Sequence, residues 1–362
     1  MLREKDCVKC LYTTRSDVLC VRELSQGGIM QSTRYVWWSR FQFAFVVFFG
    51  IVASFFVVPV SLAQETPIGP KWWPSEWGAN DQRGAANRIT PQKILQAASL
   101  IKEGKIYQLG RVYERGMPLS GNRSFALTIP GMPTQGPTGK NQLVANSEMV
   151  AAELGQVGTQ FDGLGHVGIQ VNGENIFYNG NKLSEFGDAY GLKKLGIENV
   201  GVIFTRGVLL DVAAYKGVES VDAGYIVTVE DITGMLEKEK VDIQEGDVVL
   251  FHTGHGKLWM KDNQKYLAGG PGPGITAIKW LAEKKIVMVG SDTASVEAMP
   301  GEDKEQLVEG HPHLLVRNGI YIHENLDLSE LAKDKVYEFV YSFAPLRLKG
   351  ATGSPGNPFA IR

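Results

Sequence analysis

Past Cys20 the sequence contains no cysteine: its three, Cys7, Cys10 and Cys20, all stand near the start. For the rest of the chain this excludes a disulfide framework, a cysteine-rich zinc module and a cysteine nucleophile. Cys7-Val-Lys-Cys10 has the spacing of half a zinc or redox site, without a second half to complete it. An excess of charge of one sign is also missing. The 362 residues carry 37 basic and 39 acidic side chains without a long run of either. That balance argues against nucleic acid or an anionic membrane as partner. Histidine is scarce, at six, and there is no GxSxG elbow and no phosphate-binding loop. Internal repeats and low-complexity tracts are absent as well, which leaves a compact globule.

One long apolar run is present, "FAFVVFFGIVASFFVV" at 43–58, after Arg34 and Arg40 and before Ser61-Leu62-Ala63. A charged region, an apolar stretch and a small-x-small site describe a secretory signal. The run is shorter than the roughly 20 residues a spanning helix needs. Met30 would open a signal of ordinary length. Residues 1–29 are therefore expected to be an over-long start, and 30–63 a signal cleaved after Ala63. The expected compartment is the periplasm or the exterior, without stable membrane insertion; an uncleaved signal acting as anchor is the alternative. Setting the leader aside leaves 30 basic and 35 acidic residues. The remaining 300 or so residues suffice for one large domain or two joined lobes.

The Trp-rich stretch 64–106 comes first. Thr90-Pro91 followed by periodic Ile94, Leu95, Ala98 and Ile101 predicts a capped helix, stopped by Gly104. "KIYQLGRVYERG" alternates like a strand. Residues 120–142, rich in Gly, Pro, Thr and Asn, carry little periodicity and are expected to form a lid-like loop. "VGVIFTRGVLLDVAAY" reads as a buried strand pair. "ITGMLEKEK" reads as a helix behind a capping box at Thr228 and Asp231, and "GITAIKWLAEKK" as an amphipathic helix. "GDVVLFHTG", "IVMVGSDTASVE", "LLVRNGIYIHENL" and "YEFVYSFAPLRL" read as strands. "GGPGPG" (269–274) lacks dinucleotide spacing, and Pro273 suits the first turn of the following helix. Hairpin-like pairs outnumber βαβ alternation, so the class is α/β, or mixed α+β, with a mixed sheet and no simple doubly wound order.

All six histidines, His166, His252, His255, His311, His313 and His323, fall where strands meet loops. In "GQVGTQFDGLGHVG" (155–168), Asp162 and His166 are four apart among glycines that permit tight turns. A carboxylate and an imidazole suit Zn²⁺, Mn²⁺ or Fe²⁺, with glutamine oxygens as weak ligands. Equally, Thr159, Gln160 and Asp162 can satisfy backbone groups in a bend; spacing alone does not separate the two. Further on, alternation puts His323 and Glu324 on opposite faces of one strand, so Glu324 is expected to converge with His311 or His313. His252 and His255 in "FHTGHGKLW" fit a pocket wall or a solvated turn. Asp292 and Glu297 can cap the next element or face the site.

Gln156 to His166 resembles the HxGTHxDxPxH signature of the metal-dependent cyclase family, which includes bacterial kynurenine formamidase and isatin hydrolase. "GVLLDVA", "GDVVLFHTG", "HPHLLVRNGIYIHENLDLSELA" and "APLRLKGATGSP" are similar to its later blocks, in order. The resemblance runs from about Tyr107 to the C-terminus. "WWPSEWGANDQRGAANRITP" resembles the entrance region of the longer bacterial members, whence Trp77 as a substrate contact. The resemblance implies a swivelling β/β/α fold in residues 107–362 and a homo-oligomer. It also implies hydrolysis of an amide, formamide or cyclic imide C–N bond with Zn²⁺ or Mn²⁺, as in tryptophan catabolism to kynurenine. By position, Asp162 matches the carboxylate ligand and His166 the acid/base. His311 and Glu324 match the later pair that serves a second metal or the proton transfer, so His166 and Glu324 are the expected proton-transfer groups. Gln156, Gln160, Asp162 and His311 are the expected metal ligands, and Thr159, Phe161, His252, His255 and Trp77 the expected contacts of a small substrate.

Two departures stand out. Gln156 and Gln160 occupy the positions of the first two signature histidines, and Leu164 that of the proline. Carboxamide is a far weaker ligand than imidazole, although longer members of the family also read "GTQ", an aromatic residue and Asp. The competing expectations are a metal-free binding protein on the same fold, and a lactonase or dehydratase using the same pocket.

Overall fold

The computed structural model describes residues 65–362 and, apart from them, a short antiparallel pair, Cys10–Thr13 with Asp17–Cys20. Cys7, the apolar run 43–58 and the expected cleavage site at Ala63 lie outside the described residues. Among the described residues, no helix is long and apolar enough to cross a membrane.

Nine strands form one mixed sheet. In chain order they are β1 (Ile106–Gln108), β2 (Gln160–Asp162), β3 (Ile203–Asp211), β4 (Val248–His252), β5 (Met288–Ser291), β6 (Tyr321–Glu324), β7 (Glu338–Phe343), β8 (Gly353–Pro355) and β9 (Phe359–Ile361). Across the sheet they run β8-β2-β6-β5-β4-β3-β7-β9-β1. Strands β3 to β6 are mutually parallel; the flanking pairs are antiparallel. Only residues 356–358 join β8, at one edge, to β9, beside the other edge. That connection reaches about 14 Å at most, whereas seven flat strand spacings need about 33 Å. The sheet therefore curls until its edges approach.

Local signals explain the helices. In α1 (Pro91–Ala98) the Thr90 side chain accepts the Lys93 N–H, and proline occupies the first turn. This helix ends before the expected Gly104, at Ser99, whose hydroxyl bonds the Gln96 carbonyl at 2.6 Å. The capping box of Thr228 and Asp231 opens α2 (Val229–Glu239). Gly274 precedes α3 (Ile275–Glu283), so Pro273 is not in its first turn. Instead, Gly272-Pro273 pairs with Ile226-Val227, held by Gly272 N–H to the Tyr225 carbonyl and Gly274 N–H to the Val227 carbonyl, both 3.1 Å.

Three further expectations are corrected. "VGVIFTRGVLLDVAAY" is not a strand pair but the single β3, followed by a helical turn, Val212–Lys216, capped by Asp211. Gly207 does not break β3; a Cβ there would lie 2.2 Å from the Phe339 ring, so it permits close packing. "LLVR" belongs to a helical turn, Pro312–Arg317, before β6. The centre of the sheet, β3 to β6, runs parallel in chain order, and the five antiparallel pairs beside it outnumber these three parallel ones, in keeping with the expected mixed sheet. Finally, the loop expected at 120–142 holds strands. Phe125–Thr128 pairs with Met149–Ala152, and Gln135–Thr138 with Leu143–Ala145. These strands are largely exposed on both faces, so burial imposes no alternation on their sequence.

Candidate metal centre and its cavity

The site begins with the pairing of β2 and β6. Their antiparallel register sets Gln160 opposite Glu324 and Phe161 opposite His323. Directly opposed residues share a face, so Gln160, Asp162 and Glu324 project to one side. Phe161 and His323 project to the other, where Phe161 stacks on Tyr321 and His323 Nδ1 lies 2.6 Å from the Tyr341 hydroxyl. Burial pushes the His323 pKa down to about 3, which keeps it neutral. Phe161, expected to touch substrate, lies in this core.

His311 reaches the same spot from the turn before Pro312. Its Nδ1 donates to Glu297, 2.8 and 2.9 Å from the two carboxylate oxygens. Glu297 is itself held by the backbone N–H groups of Gly310 and His311, at 3.1 and 3.2 Å. A carboxylate on Nδ1 fixes the tautomer and aims Nε2 outward. There His311 Nε2 lies 3.3 Å from Glu324 Oε1 and 3.7 Å from Asp162 Oδ2. One ligand atom from each of Asp162, His311 and Glu324 falls within 4.8 Å of the others.

These residues fit a divalent ion. Zinc bonded tetrahedrally at about 2.0–2.1 Å sets its ligand atoms roughly 3.4 Å apart, close to the separations found. Moreover, Asp162 Oδ2 is buried and accepts no hydrogen bond among the described residues. Such a group is costly unless a cation meets it. One carboxylate-histidine-carboxylate set suits Zn²⁺ or Mn²⁺.

The two glutamines, expected as ligands, meet the carboxylates through their amide nitrogens. Gln156 Nε2 donates to Asp162 Oδ1 at 2.9 Å, and Gln160 Nε2 to Glu324 Oε2 at 2.8 Å. Carboxylates only accept, so each glutamine must turn its NH₂ toward them. In this arrangement both amides donate to the carboxylates that would hold an ion. The oxygen of Gln156 accepts from Arg123 Nη2 at 3.1 Å.

Electrostatics follow from burial and crowding. Burial works to raise the Asp162 carboxyl, but His166, His311 and the Gln156 amide bring it below its ordinary value. Burial lifts Glu324 to about 7, against the pull of His311. Burial opposes the charge on His311, yet Glu297, Asp162 and Glu324 hold its pKa well above the ordinary value. His166, with Nε2 4.0 Å from Asp162 Oδ1, is lowered by burial in spite of that carboxylate.

A cavity of about 480 Å³ opens over the cluster, lined by Arg123, Gln156, Gln160, His166, His311 and Glu324 on its polar side. The remaining expected contacts lie elsewhere. Thr159 donates to the Asn325 carbonyl at 2.9 Å and accepts the Arg111 N–H at 2.8 Å, tying β2 to its neighbours. His255 is buried with Nε2 3.1 Å from the Tyr266 carbonyl, its ring stacked on Tyr266. His252 pairs with Asp211 at 2.8 Å and lines a separate cavity of about 320 Å³. Trp77 packs under the Arg88 guanidinium beside α1, at a third cavity.

Sequence reading missed Arg123, and it left Glu297 undecided. The one signal for Glu297 was a carboxylate after a strand; Arg123 sat in a stretch without periodicity. Gly269 and Gly270, read only as the run before a helix, also line the cavity. For Glu297→Gln we expect a tenfold to hundredfold loss of zinc affinity, roughly, because the amide holds His311 less firmly. Competition against a chromophoric chelator measures it; unchanged affinity removes Glu297 from the centre.

A curled mixed sheet, with a carboxylate-histidine cluster at the β2/β6 seam beneath a cavity, defines a cyclase-like α/β fold. Residues 82–298 match the family described as "Putative cyclase", and the chain belongs to that family. A solved structure described as a novel cyclase is 33% identical, with a TM-score of 0.69, covering 79% of this chain and 98% of that one. Isatin hydrolase A from Labrenzia aggregata, solved with benzyl benzoate, is similar at 21% identity and TM-score 0.54, over 74% of this chain and 97% of that one. Isatin hydrolase A from Ralstonia solanacearum is similar at 18% identity and TM-score 0.54, over 75% and 98%. At those identities the isatin hydrolases speak for the fold. No curated protein matches the chain.

Proposed function

We propose that the protein is a metal-dependent hydrolase that opens the C–N bond of a small amide, formamide or cyclic imide. The observation that carries this reading is the buried, unpartnered Asp162 Oδ2 facing His311 Nε2 and Glu324 at the floor of a cavity. The fold it shares with isatin hydrolases, named for hydrolysing isatin, adds support. Asp162, His311 and Glu324 would hold Zn²⁺ or Mn²⁺. When bound, such an ion polarises a carbonyl oxygen and lowers the pKa of water.

The remaining chemistry falls to the chain. His166 is neutral near pH 7, so its Nε2 can take the proton of the attacking water. The water oxygen bonds to the carbonyl carbon, the C–N bond breaks, and the same proton passes to the departing nitrogen. Gln156 and Gln160 keep the two carboxylates aligned. Val167, Leu267, Met299, Pro300 and Val308 give the cavity an apolar wall for the body of the substrate.

Elemental analysis of the purified protein, with zinc or manganese reloading, is the first test. About one equivalent of metal is expected for a single ligand set, with turnover of formanilides or imides in a panel that also holds lactones. Less than about a tenth of an equivalent after reloading, with ligand bound but not turned over, would hand the site to the binding-protein reading.

A further inference from the structure

Arg123 is unused by this mechanism, yet it is the one lysine or arginine lining the 480 Å³ cavity. Its guanidinium has five donors and makes one hydrogen bond, Nη2 to Gln156 Oε1 at 3.1 Å. Among the described residues it joins no ion pair. Glu153 lies within reach of its field without an ion pair, its Oε2 held by the N–H and hydroxyl of Ser124, at 2.6 and 3.2 Å. A half-buried guanidinium with spare donors, facing a ligand-sized space, has the geometry for a two-pronged grip on a carboxylate.

Its position relative to the cluster limits the ligand. Arg123 contacts one end of the Gln156 amide, and Asp162 Oδ1 lies 2.9 Å from the other end. Guanidinium and Asp162 are thus no more than about 8 Å apart, given an amide oxygen-to-nitrogen span of about 2.3 Å. A ligand whose carbonyl sits over Asp162, His311 and Glu324 can place a second group at Arg123 only if that group is a few bonds away. A phosphate dianion is disfavoured, because a single permanent cation shares this cavity with Glu324, and Asp162 lies beneath it.

We infer that Arg123 anchors a carboxylate of the substrate, so that the site takes amides or imides bearing a free carboxylate a few bonds from the scissile carbonyl. This rests on the hydrolase reading for the scissile bond, though not for the anion grip itself. The apolar wall then receives the side group, which makes N-formyl derivatives of apolar amino acids suitable probes.

The test compares N-formyl-L-phenylalanine with N-formyl-L-phenylalaninamide, which differ only in a carboxylate replaced by a neutral carboxamide of the same shape. Calorimetry on metal-free protein gives Kd without turnover, and the zinc-loaded enzyme gives KM. Wild type should prefer the acid by roughly tenfold to hundredfold, the range of a charge-assisted pair. Arg123→Met should erase that preference while zinc affinity and melting temperature stay unchanged, and Arg123→Lys should keep part of it. Equal affinity for acid and amide in wild type overturns the inference, as does a preference that survives Arg123→Met. Parallel loss of zinc and preference overturns it too, since Arg123 would then act only by positioning Gln156. A wild type that binds the acid selectively but hydrolyses neither probe counts against the hydrolase reading alone.

Discussion

Asp162→Ala should empty the centre, dropping bound zinc from about one equivalent to below about a tenth and cutting amide hydrolysis by roughly a thousandfold or more. Asp162 supplies one of three converging ligands, and its Oδ2 accepts no hydrogen bond among the described residues. The remaining His311 and Glu324 would offer an ion two ligands and a single carboxylate. Loss of folding is the trivial explanation, and the melting temperature separates the two. In metal-free protein Gln156 and His311 hold the Asp162 charge, so truncating it leaves them uncompensated and lowers the melting temperature. The rise that wild type shows on adding zinc should disappear in a variant that still unfolds cooperatively. A variant that still binds a full equivalent would place the metal elsewhere or nowhere.

Asp247→Asn should cost stability instead, by about 3–5 kcal/mol. Asp247 is fully buried and accepts Lys93 Nζ at 2.6 Å and Arg206 Nη1 at 3.2 Å. Lys93 belongs to α1, Arg206 to β3, and Asp247 immediately precedes β4, so this one carboxylate ties three elements together. Neutralising it leaves Lys93 desolvated without a partner, while Arg206 keeps Asp242 and Glu338. Urea unfolding of the variant measures the loss, and a change below about 1 kcal/mol would show that water or relaxation rescues Lys93. The double variant Asp247→Leu/Lys93→Met should recover part of the loss, since an apolar pair of similar volume needs no compensation.

Much of the site's logic was legible locally. The strict two-residue alternation of a strand separated His323 from Glu324. It also predicted that Glu324 needed a histidine from upstream, which the structure supplies as His311. The same alternation, applied to the short β2, also sends Phe161 away from the site. The caps at Thr90 and Thr228 were legible because a cap forms within four residues of chain. By contrast, the ribbon at 125–152 gave no pattern, since neither face is buried and burial is what writes alternation into sequence.

What the sequence by itself determined is the set of local rules: a nearly charge-balanced chain without cysteine past Cys20, the mixture of strands and helices, and which side chains share a face. Tertiary structure alone decided who meets whom. The register of β2 against β6 set Gln160 against Glu324, while the bend before β2 set Gln156 against Asp162. Chain reversals more than a hundred residues long brought Glu297 and His311 to Asp162, and the curl of the sheet set His252 and Trp77 apart from it. The physical reason is that a hydrogen bond or an ion pair depends on distance in space. Sequence periodicity reports direction relative to the backbone, and says nothing of the neighbour at the far end.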